Sequence, residues 1–245
     1  MLRLRLAMTH KIEGEGDKGG EVEMIKLRNN IHISNPMGKI EYYWGREGGA
    51  RYYDSVKLPS DTFLNKAQIL MAIDASNKIG ARIPYDNETL VIKPLLEKLN
   101  KINACLSKIP YNIKISDDFE KIPWNKIGEL IQAFDTKYLS LARKTKILHK
   151  KLPNIIPILD SILELDYCKA LISDYKWTSE SDWAVRCITE LKKDIDTNKD
   201  ELTELQKIIS IKYEYMFDVS LLRLLDILIW SHFFYKESPL DQQTI

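Results

Sequence analysis

Residues 135–163 read DTKYLSLARKTKILHKKLPNIIPILDSIL. A basic run with helical spacing over 137–150 enters the segment Pro153-Asn154-Ile155-Ile156-Pro157, and an apolar helix opens at Asp160. Proline fixes its own φ and moves the preceding residue away from the helical region, so the two prolines brace a short, rigid connector. Helix, stiff connector and helix within thirty residues predict a packed α-helical body. The same period continues on both sides. Upstream, Ser60 can cap a helix from Asp61 to Gly80 with Leu64, Ala67, Leu70 and Ile73 on one face. Leu95, Leu99, Ile102 and Leu106 mark a helix over 91–107, and Ile127, Leu130, Ile131 and Phe134 mark one over 124–134. Downstream, helices are predicted at 160–173, 181–195, 199–212 and 218–235.

Residues 1–56 read differently. LRLRL, EVEMIKL, IHIS and KIEYYW are short, partly alternating and rich in strand formers. Glycines and asparagines punctuate them, and eight of the ten glycines fall before residue 50, which sets this part of the chain apart. The expected architecture is therefore mainly α: a small β-rich N-terminal segment, 1–56, laid on a helical domain, 57–245, packed as one unit.

Bulk composition excludes several classes. Apolar residues make up 44% of 245, enough for a real core. Cys105, Cys168 and Cys187 are odd in number, far apart and without CxxC spacing, so buried thiols are expected rather than disulfides or a zinc site. His10, His32, His149 and His232 are scattered, and no metal or other cofactor is implied. Trp124, Trp177, Trp183 and Trp230 read as core or cap residues, and Trp44 as core or stacking. The most apolar run, Val219 to Tyr235, carries Arg223, Asp226 and His232, which are costly at mid-bilayer, so it reads as a buried helix and not a membrane span. The N-terminus lacks the apolar run of a signal peptide, and a cytoplasmic monomer is expected.

Net charge is only +1, so distribution matters more than sum. No acidic residue lies between Asp135 and Asp160, while Lys137, Arg143, Lys144, Lys146, Lys150 and Lys151 do, with His149 among them. Such a stripe is either a solvated helix face or a surface that attracts phosphate. Asp160, just past the braced connector, is either a first-turn carboxylate complementing the helix dipole or a carboxylate held towards a groove, and one residue can be both. Arg223 and Asp226, at i, i+3 in an apolar helix, read as an internal ion pair that could brace a pocket floor.

The order basic helix, proline-bracketed turn and Asp on the next helix resembles the helix-hairpin-helix DNA glycosylases. The resemblance covers about thirty residues. It places a hairpin turn at Asp135 to Tyr138, where this chain has no glycine, and a small packing residue at Ala142. It makes Pro157-Ile158-Leu159-Asp160 the catalytic segment, one residue longer than usual. Ser140 stands near the position where bifunctional members carry a Schiff-base lysine, which implies monofunctional hydrolysis. The iron–sulfur cysteine pattern of some members is missing. More closely, GGARYYDSVKLPSD, KKLPNIIPILDSIL and SLLRLLDILIW resemble an uncharacterised bacterial family with the same three landmarks.

A glycosylase takes a base out of the stack into a pocket, and a fixed carboxylate stabilises the positive sugar or orients water. The resemblance implies Asp160 in that role, DNA as partner and a modified or damaged base as substrate, with defence against phage of modified DNA as one setting. Tyr52, Tyr53, Asp54 and Lys57 can wall the base pocket, Gly48-Gly49 permits close backbone approach, and Arg223 and Asp226 support the floor. The same loop reads equally as a strand end packing two tyrosines on the core. A non-catalytic nucleic-acid-binding protein, a helical scaffold for an acidic partner, and a magnesium-dependent nuclease are the competing functions.

Overall fold

The computed structural model describes residues 22–46, 48–59, 63–84, 88–213 and 219–235. Asn29 and Asn30 take left-handed backbone, φ 60° and 56°, which asparagine tolerates well. They close a hairpin of β1 (Met24–Leu27) and β2 (Ile31–Ser34), antiparallel with Leu27 opposite Ile31. Alternation sends Ile25, Leu27 and Ile33 inward. The outer edge of β1 is occupied: the Asn198 side chain donates to Lys26 O and accepts from Lys26 N. EVEMIKL and IHIS are thus strands as expected, and LRLRL lies outside the described residues.

KIEYYW is a helix, not a strand. The Asn35 side chain accepts from Gly38 N at 3.0 Å and starts α1 (Pro36–Arg46), with proline at its first position. Aromatic residues favour strands, but Ile40, Tyr43 and Trp44 bury at 3–4 spacing, and the helical period wins. GGARYYDS is likewise α2 (Gly48–Ser55), burying Ala50, Tyr53 and Asp54.

The chain continues through α3 (Lys66–Lys78), α4 (Lys93–Glu97), α5 (Leu99–Leu106), α6 (Trp124–Ala133) and α7 (Leu141–Lys151). A wide helical turn at Ile162–Cys168 leads into α8 (Lys169–Leu171), followed by α9 (Glu180–Thr197), α10 (Lys199–Lys212) and α11 (Leu221–Phe234). The mainly helical body with a small N-terminal sheet is therefore as read, with differences in detail. Asn65 caps α3, accepting from Gln68 N, while the expected cap Ser60 lies outside the described residues. The α3 face is offset, burying Ile69, Ala72 and Ile73 and leaving Ala67 exposed. The expected helix over 91–107 breaks at Lys98 into α4 and α5. Trp177, read as core or cap, is 56% exposed and lies edge-on to Trp183, with ring centres 5.2 Å apart.

Gly49 marks a close contact between two helices. A Cβ there would sit 1.9 Å from Lys78 O, so α2 crosses the end of α3 backbone to backbone. Gly49→Ala is expected to force the two helices apart and lower the unfolding free energy by up to about 3 kcal/mol. Gly48→Ala, where a Cβ meets nothing within 4 Å, is the matched control in urea melts. Equal stability of the two variants would refute the contact.

One continuous core runs from Ile25 to Ile229. Two helices at its centre are buried almost all round: α7 from Lys144 to Lys151, and α11 from Leu222 to Ile229. Such helices ordinarily carry no charge. These two carry several, and the candidate site lies where they meet α2 and α3. No helix among the described residues is long and apolar enough to cross a membrane.

Candidate functional site

The basic side chains of α7 are expected on the surface, facing phosphate. The structure turns most of them inward. Lys150 donates to Tyr53 O (2.5 Å) and Val56 O (3.0 Å), and Lys151 to Pro59 O. Lys146 donates to Ile79 O (3.0 Å), and Arg143 to Ala81 O (2.8 Å) and Arg82 O (3.1 Å). These carbonyls lie in the last turn of α2 and in the segments that follow α2 and α3. Helix C-termini leave carbonyls without partners and carry partial negative charge, so cations settle there. Lys144 bonds Asp135 and Glu180. Of the seven expected phosphate contacts, Lys137 alone is exposed, its ammonium 5.5 Å from the Tyr138 ring. The stripe free of acidic residues thus reflects two helix ends aimed at α7. His149 is buried with Nδ1 2.6 Å from Ile156 O, and burial beside Lys150 holds its pKa well below the usual value, so it is neutral.

Asp160 is both cap and cleft residue. Its Oδ1 accepts from the N–H groups of Ile162 and Leu163, each at 3.1 Å. The connector before it is pinned to α7: Thr145 Oγ1 donates to Leu141 O and accepts from Leu159 N at 3.1 Å. Asp160 lines a cleft of about 350 Å³ with Lys146, Tyr43, Trp230, Arg223 and Asp226. The end of α3 and the turn after it, residues 77–80 with Gly80 at φ 75°, form its rim. Burial raises the Asp160 pKa, against the pull of the two N–H groups and Lys146. Asp226 is pushed up to about 7, because burial outweighs the adjacent Arg223 and Asp160 adds like charge.

Arg223 organises the centre. Its Nε donates to Asp54 Oδ1 at 2.8 Å, Nη1 to Asp226, and Nη2 to Tyr43 Oη at 3.1 Å. Trp44 Nε1 donates to Asp54 Oδ2 at 2.8 Å. The guanidinium lies 5.5 Å from the Tyr43 ring centre and 5.4 Å from that of Tyr53. The Arg223 contacts thus reach beyond Asp226, its expected partner, to α1 and α2.

On the far side of Arg223 lies a second cavity, of about 620 Å³, lined by Asp54, Lys57, Lys150, Lys151, Tyr111 and others. The residues expected to wall one base pocket are therefore dispersed. Asp54 and Lys57 belong to this larger cavity and Asp160 to the smaller cleft. Tyr53 is fully buried, donating to Lys146 O at 2.8 Å. Tyr52 is exposed and donates to Asp74 at 2.6 Å. Tyr43, Trp230 and the 77–80 turn escaped the sequence reading, and only Gly80 just past a helix hinted at them.

The three cysteines are free and buried. No cluster of histidine, cysteine, aspartate or glutamate able to hold a metal occurs among the described residues.

No curated protein and no solved structure matches the chain. One family does, over residues 87–233, a stretch that holds Lys146, Lys150, Asp160, Arg223 and Asp226 but stops short of α1, α2 and α3. The chain belongs to DUF6308, a family of unknown function.

Proposed function

We propose that the chain hydrolyses an N-glycosidic bond, releasing a modified or damaged base from DNA without cutting the strand. One observation supports this most: Asp160, fixed by two backbone N–H groups and a pinned connector, shares a cleft with Asp226. Two carboxylates in different environments suit opposite halves of such a reaction. In this reading Asp226, near half-protonated at neutral pH, gives a proton to the departing base. The base leaves with the electron pair of the C–N bond. Ionised Asp160 stabilises the positive sugar and takes a proton from the attacking water. Tyr43 and Trp230, in edge contact with ring centres 5.1 Å apart, are the aromatic residues of the cleft wall that an extruded base would meet. Lys78, exposed at the rim, is the cation best placed to meet a backbone phosphate.

The decisive experiment incubates the full chain with duplex and single-stranded DNA carrying normal, damaged or phage-type modified bases. Abasic sites are read by alkaline cleavage. Base release lost in Asp160→Asn is the expected outcome. Release undiminished in that variant refutes the mechanism. Salt-sensitive DNA binding with no base released from any substrate would make the chain a binding module, a reading weakened by the burial of the α7 cations. Strand breaks requiring magnesium would make it a nuclease.

A further inference from the structure

Away from the two cavities around Arg223, a hollow of about 260 Å³ opens between the wide turn at Ile162–Cys168 and the start of α9. Two indoles and one carboxylate line it, Trp177, Trp183 and Glu164, with Leu165 beside them. Trp177 is 56% exposed, yet the chain fixes it on both sides. Tyr175 Oη donates to Asp182 Oδ1 at 2.8 Å, and Thr178 donates to Oδ2 from its N–H at 2.9 Å and from its hydroxyl at 3.1 Å. Asp182 lies in the first turn of α9, and its own N–H donates to the cap residue Ser179 at 3.1 Å. Trp177 therefore stands in water at a set angle, its plane 68° from that of Trp183 with ring centres 5.2 Å apart. The two rings make the walls of a corner.

Glu164 supplies charge to that corner. Trp183 Nε1 donates to its Oε1 at 3.1 Å, and the other oxygen accepts no hydrogen bond among the described residues. Burial raises the Glu164 pKa, and Glu180 and Asp160 add like charge, against the Trp183 N–H and Lys169. The neighbouring Tyr175 ring already carries a cation, the Arg186 guanidinium, 5.4 Å from its centre. Among the described residues neither indole does. Lys169 also lines the hollow, but its side chain is exposed.

We propose that this corner binds a small quaternary ammonium compound of about choline size. Aromatic faces attract cations through the ring quadrupole, most strongly when the cation is free of water. A quaternary nitrogen has no N–H to satisfy, which suits two ring faces and one open carboxylate oxygen. A primary ammonium seeks three acceptors and is strongly hydrated, so Lys169 stays outside. The volume, about 260 Å³, admits a trimethylammonium head with a short tail and falls below the usual size of a site for larger organic ligands. The site stands independently of base release, since Asp160 does not line it.

The test titrates the full chain with choline, with ethanolamine, and with 3,3-dimethylbutan-1-ol, the uncharged isostere of choline. The indole N–H signals in proton–nitrogen spectra report binding. Choline is expected to shift the Trp177 and Trp183 signals and to bind about tenfold more tightly than either other probe. Trp177→Leu, at an exposed position, is expected to erase that preference. Glu164→Gln, which keeps an oxygen for Trp183, is expected to weaken choline severalfold, while the remote surface variant Lys207→Gln leaves it intact. Equal binding of choline and its uncharged isostere would make the corner a plain apolar hollow and overturn the proposal. So would no shift at tens of millimolar choline, or unchanged choline affinity in Trp177→Leu. Choline binding is expected unchanged in Asp160→Asn, so loss of base release and loss of this site are read separately.

Discussion

Replacing Arg223 by methionine lowers the unfolding free energy by about 3–5 kcal/mol, the cost of removing one partner from a buried ion cluster. Arg223 is 4% exposed and bonds Asp54, Asp226 and Tyr43 at once, from α11 to α2 and α1. Methionine fills much of the same volume, so the loss is electrostatic rather than a cavity. Two carboxylates remain buried with their shared cation gone, and each must take a proton or draw in water. The deficit should therefore shrink as pH falls, because protonation then relieves both. Adding Asp54→Asn and Asp226→Asn to Arg223→Met should recover a large part of it. Urea melts of the wild type, the single variant and the triple variant at pH 5 and pH 8 measure this. A deficit below 1 kcal/mol at pH 8, or one that grows on acidification, would mean that the three groups do not form one unit.

The helical body was legible because its signals are local. The periodicity of Ile127, Leu130 and Ile131 or of the α11 leucines needs no knowledge of neighbours. The small sheet was legible for the same reason, through Asn29-Asn30 and alternation. The aromatic runs EYYW and RYYD misled, because strand preference and helical burial compete over so few residues, and packing of Tyr43, Trp44 and Tyr53 decided. The basic stripe shows the deeper limit. A run of lysines without acids looks the same in sequence whether its counter-charge is phosphate outside or carbonyls inside. The carbonyls that hold Lys146 and Lys150 come from residues 79, 53 and 56, far away in the chain. Asp160 was legible as a braced carboxylate. Its companions were not, since Tyr43 comes from α1 and residues 77–80 from the end of α3, both far from Asp160 in the chain.

Asp226 gives the chain a pH dependence opposite to that of an ordinary surface carboxylate. Its folded-state pKa is raised from 3.8 to about 7 by burial, although Arg223 beside it pulls downward. Between those values the unfolded chain has already lost the proton while the folded chain still holds it. Stability from this group is therefore full below about 4, declines as pH rises, and levels off above about 7. At 1.36 kcal/mol per pH unit the whole decline is about 4 kcal/mol. Depressed carboxylates such as Glu190, held low by Arg28 and Lys193, act in the opposite sense, so the wild-type curve alone is ambiguous. The difference from Asp226→Asn isolates the group: asparagine keeps an oxygen for Arg223 and has no proton to lose. Relative to wild type, the variant should gain about 4 kcal/mol between pH 4 and pH 8. Parallel stability curves for the two proteins would show that Asp226 titrates normally. The same proton should mark catalysis if Asp226 serves the departing base: base release should fall above pH about 7, while DNA binding in Asp160→Asn stays level across that range.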